Sequence, residues 1–218
     1  MSRTKVLRKT FFEQPTLTVA RELLGKYLVR KVGGKAIAAI ITEVEAYDGP
    51  RDKASHASRG LTPRTKVMFG PPGHWYVYFT YGMHWMLNIV TREKGYPAAV
   101  LIRAVEVKSR RRNISVNQLS NQHGSALAIN GPARVTKFFR IGKSFNGASA
   151  SRRTGLWIED RPARIATRSV AGGGVRIKEF EIKKSPRIGV DYAGPVWSKK
   201  KYRFFMTGKC YNSAIAEL

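Results

Sequence analysis

Along most of this chain apolar and polar residues alternate, and the alternation predicts a domain dominated by strands. Residues 26–31 and 35–47 read as two strands joined by the turn Gly33-Gly34. Residues 74–80 and 85–91 read as a hairpin bent at Gly82, and AAVLIRAVEV at 98–107 as a further strand. Shorter strands are expected near 155–158, 175–182, 187–190 and 202–206. Two segments carry helical spacing instead. TLTVARELL at 16–24 puts Val19, Ala20, Leu23 and Leu24 on one face, with Thr16 or Thr18 to cap its start and Gly25 to stop it. GPARVTKFFR at 131–140 places Pro132 in the first turn of a second helix. Residues 48–64, 108–130, 146–154 and 171–174 read as loops, the second of them with one short helix. No internal repeat or sharp shift in composition divides the chain. The expectation is a single α+β domain over residues 1–218 with a mainly antiparallel sheet, and with residues 1–10 as a basic N-terminal tail.

Composition changes this picture mainly through charge. With 218 residues, 43% of them hydrophobic, the chain can bury a sizeable core without disulfides or metal. Lysine and arginine number 40 against 14 acids, a formal net charge of +26. That balance points to a polyanionic partner, with nucleic acid first, an anionic membrane surface second, and a passive basic surface third. The one cysteine, Cys210, can form no internal disulfide, which fits a reducing compartment. The start, MSRTKVLRKTFFEQ, lacks the apolar run of a secretory signal. No stretch approaches the ~20 apolar residues of a membrane span, so a soluble intracellular protein is expected.

Against so few acids, Glu43, Glu45, Asp48 and Asp52 fall within ten residues of one another. On a strand, Ile41, Glu43, Glu45 and Tyr47 would share one face and Val44 and Ala46 the other. Two carboxylates beside an aromatic ring suit acid–base work on a ring-shaped substrate. Taken alone, the pattern favours ordinary ion pairing with the surrounding lysines and arginines, since surface ion pairs are common. His56, nine residues beyond Tyr47, fits a stacking or proton-shuttling role, or a plain solvated histidine. No zinc-ligand spacing, phosphate-binding loop or serine-hydrolase elbow occurs.

The densest aromatic stretch is HWYVYFTYGMHW, residues 74–85. Alternation puts Trp75, Val77, Phe79 and Tyr81 on one face and Tyr76, Tyr78 and Thr80 on the other. A strand buried on both faces explains this, with Trp75, Val77 and Phe79 as core candidates. Tyrosine hydroxyls need partners when buried, however, and three tyrosines within six residues also fit a surface that stacks on bases. Tyr81, next to Gly82, would sit at the hairpin tip, where an aromatic can wedge into a duplex.

Taken together, EVEAYDGPRDKASH, TPRTKVMFGPPGHWYVYFTYGMHWMLNIV, AVLIRAVE, NGPARVTKFF and RIGVDYAGPVWSKKKYRFFMTG resemble the alkyladenine (3-methyladenine) DNA glycosylase family from about residue 10 onward. The resemblance implies a curved antiparallel sheet with flanking helices and a protruding β-hairpin. It also implies a monomeric, cofactor-free and metal-free base-excision repair enzyme, cytoplasmic or nucleoid-associated. Such an enzyme flips damaged purines such as 3-methyladenine, hypoxanthine or ethenoadenine out of double-stranded DNA and hydrolyses the N-glycosidic bond.

Carried over residue by residue, Glu45 matches the general base and Arg103 the arginine that helps hold its water. Tyr47 matches the ring on one face of the flipped base, and His56 and Tyr78 the other face. Asn88 matches the asparagine that crowds the amino group of guanine, Tyr81 the wedge, and Met83 a further minor-groove contact. Met206 matches a residue whose backbone carbonyl touches the water. The basic run KSRRRN near 108 and Pro195-Val196 depart from the family pattern. A lesion-recognising DNA-binding protein without catalysis, and a basic RNA- or ribosome-associated protein, are the alternatives.

Overall fold

The computed structural model describes residues 4–107, 127–161 and 180–207. The strands are β1 (Lys5–Val6), β2 (Tyr27–Val32), β3 (Lys35–Asp48), β4 (Trp75–Thr80), β5 (His84–Val90), β6 (Ala98–Val107), β7 (Leu127–Asn130), β8 (Leu156–Asp160), β9 (Glu181–Ser185) and β10 (Arg203–Thr207). The helices are α1 (Lys9–Phe12), α2 (Thr16–Leu23), α3 (Pro132–Phe138) and α4 (Gly194–Trp197). The strands form one open sheet in the order β1-β8-β2-β3-β6-β5-β4; β7 also pairs with β6, and β10 joins β3 to β9. Every paired strand among the described residues is antiparallel, which makes this the α+β architecture expected. No helix among the described residues is long and apolar enough to cross a membrane.

β3 organises the sheet. Its first half pairs with β2, its second half pairs with β6 on one side, and Glu43–Glu45 pair with β10 on the other. The main core lies on one face, where α2 and α3 cover Ile41, Val44 and Ala46 of β3 and Val100, Ile102 and Val105 of β6. Strict alternation would place Ile41 with Glu43. Instead the register skips Thr42 on β3 and then Arg103 on β6. Two compensating bulges therefore change the parity of both strands together. Ile41 joins the core, while Glu43, Glu45 and Arg103 stay on the opposite face.

α2 forms where helical spacing predicts it, with Val19, Ala20 and Leu23 buried. Its N-cap is Pro15, however, with no side-chain cap. The Thr16 hydroxyl donates instead to Asp48 Oδ1 at 2.6 Å and fastens the helix to the end of β3. In the expected N-terminal tail, Lys5–Val6 pair with β8 and α1 begins at Lys9. Residues 127–130, expected as loop, form β7 because Ala104–Val107 of β6 offer a free edge there. Residues 187–190 are not a strand; they turn into a short 3-10 segment, Asp191–Ala193. The loop expected at 171–174, the helix expected within 108–126 and the start of the strand expected at 175–182 lie outside the described residues.

The loop after β3 is held tightly. Gly49 has φ +81°, a conformation that favours glycine, and a Cβ there would run into the Tyr96 ring. Gly49→Ala is therefore expected to destabilise the fold by about 2 kcal/mol or more, from overpacking and backbone strain together. Chemical denaturation at equilibrium measures it.

Candidate active site

Residues paired directly across an antiparallel sheet share a face. The register aligns Tyr76 with Asn88, Asn88 with Leu101, Leu101 with Glu45, and Glu45 with Arg203. One row across five strands thus carries a tyrosine, an asparagine, a carboxylate and an arginine on the face away from the main core. The next row brings Val90, Ala99 and Tyr47 alongside. Over these rows the 3-10 segments His56–Arg59 and Lys66–Phe69 fold down, packing Ala57 and Met68 against Tyr76, Val90 and Ala99.

Between sheet and loops lies a pocket that is partly open to solvent, whose walls include Tyr47, His56, Tyr76, Tyr78, Asn88 and Tyr192. Four residues expected at a site (Tyr47, His56, Tyr78 and Asn88) thus meet around one space. The His56 and Tyr78 rings meet edge to face with centroids 4.6 Å apart, and Tyr78 lies tilted against Tyr76 at 5.2 Å. His56 Nδ1 is 3.0 Å from the Tyr76 hydroxyl. Asn88 Nδ2 donates to the Tyr76 carbonyl at 3.1 Å, which fixes its amide in the cavity wall. The Arg64 guanidinium lies 4.9 Å from the centre of the Tyr78 ring and donates to the Phe79 carbonyl.

Glu45 is fully buried. Its Oε1 accepts from the Ile188 backbone N–H at 2.8 Å, and its Oε2 accepts from the Tyr47 hydroxyl at 2.9 Å. Arg103 donates from Nε to Glu43 at 2.9 Å and holds Nη1 3.5 Å from Glu45 Oε1. Burial pushes the Glu45 carboxyl above its ordinary pKa, and Arg103, the Ile188 N–H, the Tyr47 hydroxyl and Arg187 oppose that push in descending order. Burial, and then the negative charge on Glu45, hold the Tyr47 phenol well above its usual value. Tyr47 is therefore a neutral hydrogen-bond donor and the electrostatic link between cavity and carboxylate.

Tyr81 and Met83 stand outside the cavity, both highly exposed at the tip of the β4–β5 hairpin. Tyr81 and Gly82 both have positive φ, 52° and 66°, and the Met83 N–H closes the turn on the Thr80 carbonyl. A left-handed backbone is costly for tyrosine, and such strain concentrates where a side chain must be presented. Phe79, expected in the core, is 43% exposed because its face has left the core at this height, and it packs on Trp85 across the hairpin.

Sequence reasoning missed three residues. The Ile188 backbone N–H reaches Glu45, and Met206 sits on β10 with its side chain packed against the main core. Arg187, buried with Asp52, braces the turn that carries Ile188. Tyr192 lines the cavity with its hydroxyl held by the Ala54 carbonyl at 2.9 Å. The segment RIGVDYAG contains all three, but only their long-range partners reveal what they do.

Burial, and then the charges of Arg64 and Arg59, lower the His56 pKa to about 4. The unfolded state therefore binds a proton at His56 that the fold does not, and the stability tied to this neutral imidazole is lost as pH falls from 6.5 towards 4. In a proton NMR titration the His56 ring is expected to titrate near pH 4 and to stay neutral throughout pH 6–8.

The family model for methylpurine-DNA glycosylases matches residues 10–210. A 3-methyladenine DNA glycosylase by name from Methanocella arvoryzae is 44% identical over 190 residues, 87% of this chain and 86% of that protein. Counterparts with the same name from Anaeromyxobacter dehalogenans (39% identical, 96% of this chain and 87% of that protein) and Myxococcus xanthus (40% identical, 92% and 89%) are similar along nearly their whole length.

Proposed function

We propose that this chain, which belongs to the methylpurine-DNA glycosylase family, flips an alkylated or deaminated purine out of duplex DNA and hydrolyses its N-glycosidic bond with a water activated by Glu45. The observation that carries the reading is a buried carboxylate, fixed by Arg103 and the Ile188 N–H, joined through Tyr47 to a pocket walled by aromatic rings. In this reading the purine lies between Tyr47 on one side and His56 and Tyr78 on the other. The electron-rich rings attract the cationic base of an N-alkylated lesion. Asn88, held by the Tyr76 carbonyl, crowds the position where guanine carries its amino group. Tyr81 fills the gap left in the stack, with Met83 beside it in the minor groove, which offsets part of the unstacking cost. The net charge of +26 supplies phosphate affinity that falls steeply with salt. The protein acts as a monomer on one lesion at a time.

The chemistry follows from the charges. The bond between sugar C1′ and the purine nitrogen breaks, and its electron pair leaves with the base, neutralising a cationic lesion; a neutral base such as hypoxanthine leaves as an anion and takes up a proton from solvent water. The oxocarbenium-like sugar that develops is stabilised by the negative Glu45. Water oxygen bonds to C1′, and Glu45 accepts the water proton. Arg103 favours the charged form of the carboxylate and opposes the desolvation that favours its protonation.

The test is a duplex carrying one hypoxanthine or one ethenoadenine, incubated with the protein and then treated with alkali to break the strand at abasic sites. Breakage is expected, and Glu45→Gln is expected to slow it at least about a hundredfold. Tight lesion binding with no abasic product would instead fit a recognition protein. Since the Glu45 pKa is raised, the wild-type rate should fall on acidification with a midpoint above the ordinary glutamate value of 4.5. Tyr81→Ala is expected to leave the melting temperature unchanged, because the ring is 81% exposed, while extrusion and excision both weaken.

A further inference from the structure

We propose that Arg187 is a positioning residue for Glu45, acting through the two groups that hold the carboxylate in place. The inference rests on the reading of Glu45 as the group that activates water. Arg187 and Asp52 are an ion pair with no exposed side-chain surface on either partner, formed across 135 positions of sequence. Nη1 and Nη2 of Arg187 each meet one carboxylate oxygen, the second at 2.8 Å. Asp52 in turn accepts from the backbone N–H groups of Asp48 and Ala54, both at 3.1 Å, so the acceptor cannot swing. Nη1 also donates to the Ala46 carbonyl at 2.9 Å, between Glu45 and Tyr47 in the chain.

The guanidinium carbon lies over two rings, 4.8 Å from the centre of Tyr47 and 5.2 Å from that of Tyr202. Each consequence of this placement ends at Glu45. The ring under the guanidinium is Tyr47, whose hydroxyl donates to Oε2. The residue after Arg187 is Ile188, whose N–H donates to Oε1. Two of the three groups that grip the carboxylate are therefore aimed by one arginine that is itself fixed at five points. Lysine could keep the charge, but it has neither the plane nor the fork.

Arg187→Lys and Asp52→Asn test this on a duplex holding one ethenoadenine, with enzyme in excess. Ethenoadenine emission reports unstacking, and alkali-induced strand breakage reports excision. Arg187→Lys is expected to slow excision about a hundredfold, since a displacement of about 1 Å at a reacting group has that effect. Asp52→Asn should slow it to a lesser degree. Both variants should bind the duplex as the unchanged protein does and lose far less unstacking than excision, since Tyr47 keeps its place in the pocket wall while its hydroxyl loses its aim at Glu45. If both fold and excise at the unchanged rate, however much lower they melt, Arg187 is a structural brace only and the proposal fails. It fails equally if unstacking is lost in step with excision, because Arg187 would then act on the cavity rather than on Glu45. Should Arg187→Lys not fold, Asp52→Asn decides alone. No excision by the unchanged protein would overturn the reading of Glu45, and this inference with it.

Discussion

A carboxylate with no exposed surface is expensive to ionise, and much of the arrangement around Glu45 works against that expense. Removing an ion from water costs several kcal/mol even after relaxation, and only well-aimed partners repay it. Glu45 has three: the Arg103 guanidinium, the Ile188 N–H and the Tyr47 hydroxyl. Each reaches it from a different piece of backbone. Arg103 comes from β6 at the position the register skips, so the double bulge that returns Ile41 to the core also leaves a long cation beside the acids. Ile188 comes from a turn with no strand pairing of its own, held by the buried Arg187–Asp52 pair. Breaking such a pair by removing one partner typically costs about 3–5 kcal/mol, which gives that turn a rigidity its backbone alone does not have.

The cavity is a by-product of the same sheet. Its floor includes Tyr76, Asn88, Ala99 and Tyr47, which direct pairing aligns on one face of the sheet without any loop, and its roof is the turn-rich chain after β3. The sheet side thus carries the Asn88 amide and the neighbouring Glu45 carboxylate, while the aromatic walls come from both sides. The hairpin β4–β5 serves twice. Its lower half packs Trp75 and Val77 into the core, and its tip spends backbone strain on presenting Tyr81 to whatever lies above the cavity mouth.

Much of this was legible in the sequence, for identifiable reasons. Alternation along β3, β4 and β6 is a property of each strand alone, so their bounds and the shared face of Glu43, Glu45 and Tyr47 could be read directly. The displacement of Ile41 could not, because a bulge is decided by a partner strand sixty residues away. Phe79 was misjudged as core because alternation says nothing about where along a strand the core ends. The acid cluster was visible, but the sequence left open which partners each acid takes. The structure assigns them: Asp52 to Arg187, Glu43 to Arg103 and Arg203, Asp48 to Thr16, and Glu45 to Arg103, Ile188 and Tyr47. Arg187, Ile188 and Tyr192 carry no periodic signal. Their significance lies in contacts more than a hundred residues apart in sequence.

The central claim is that Glu45 stands ionised where a purine sugar becomes positively charged. A crystal structure with a duplex bearing a cationic pyrrolidine in place of one deoxyribose tests it most directly, because that ring mimics the charge developing at C1′. The account predicts the pyrrolidine nitrogen within ion-pair distance of the Glu45 carboxylate, with Tyr81 in the vacated gap of the stack. A pyrrolidine left inside the helix, or bound with its charge on another acid, would contradict it.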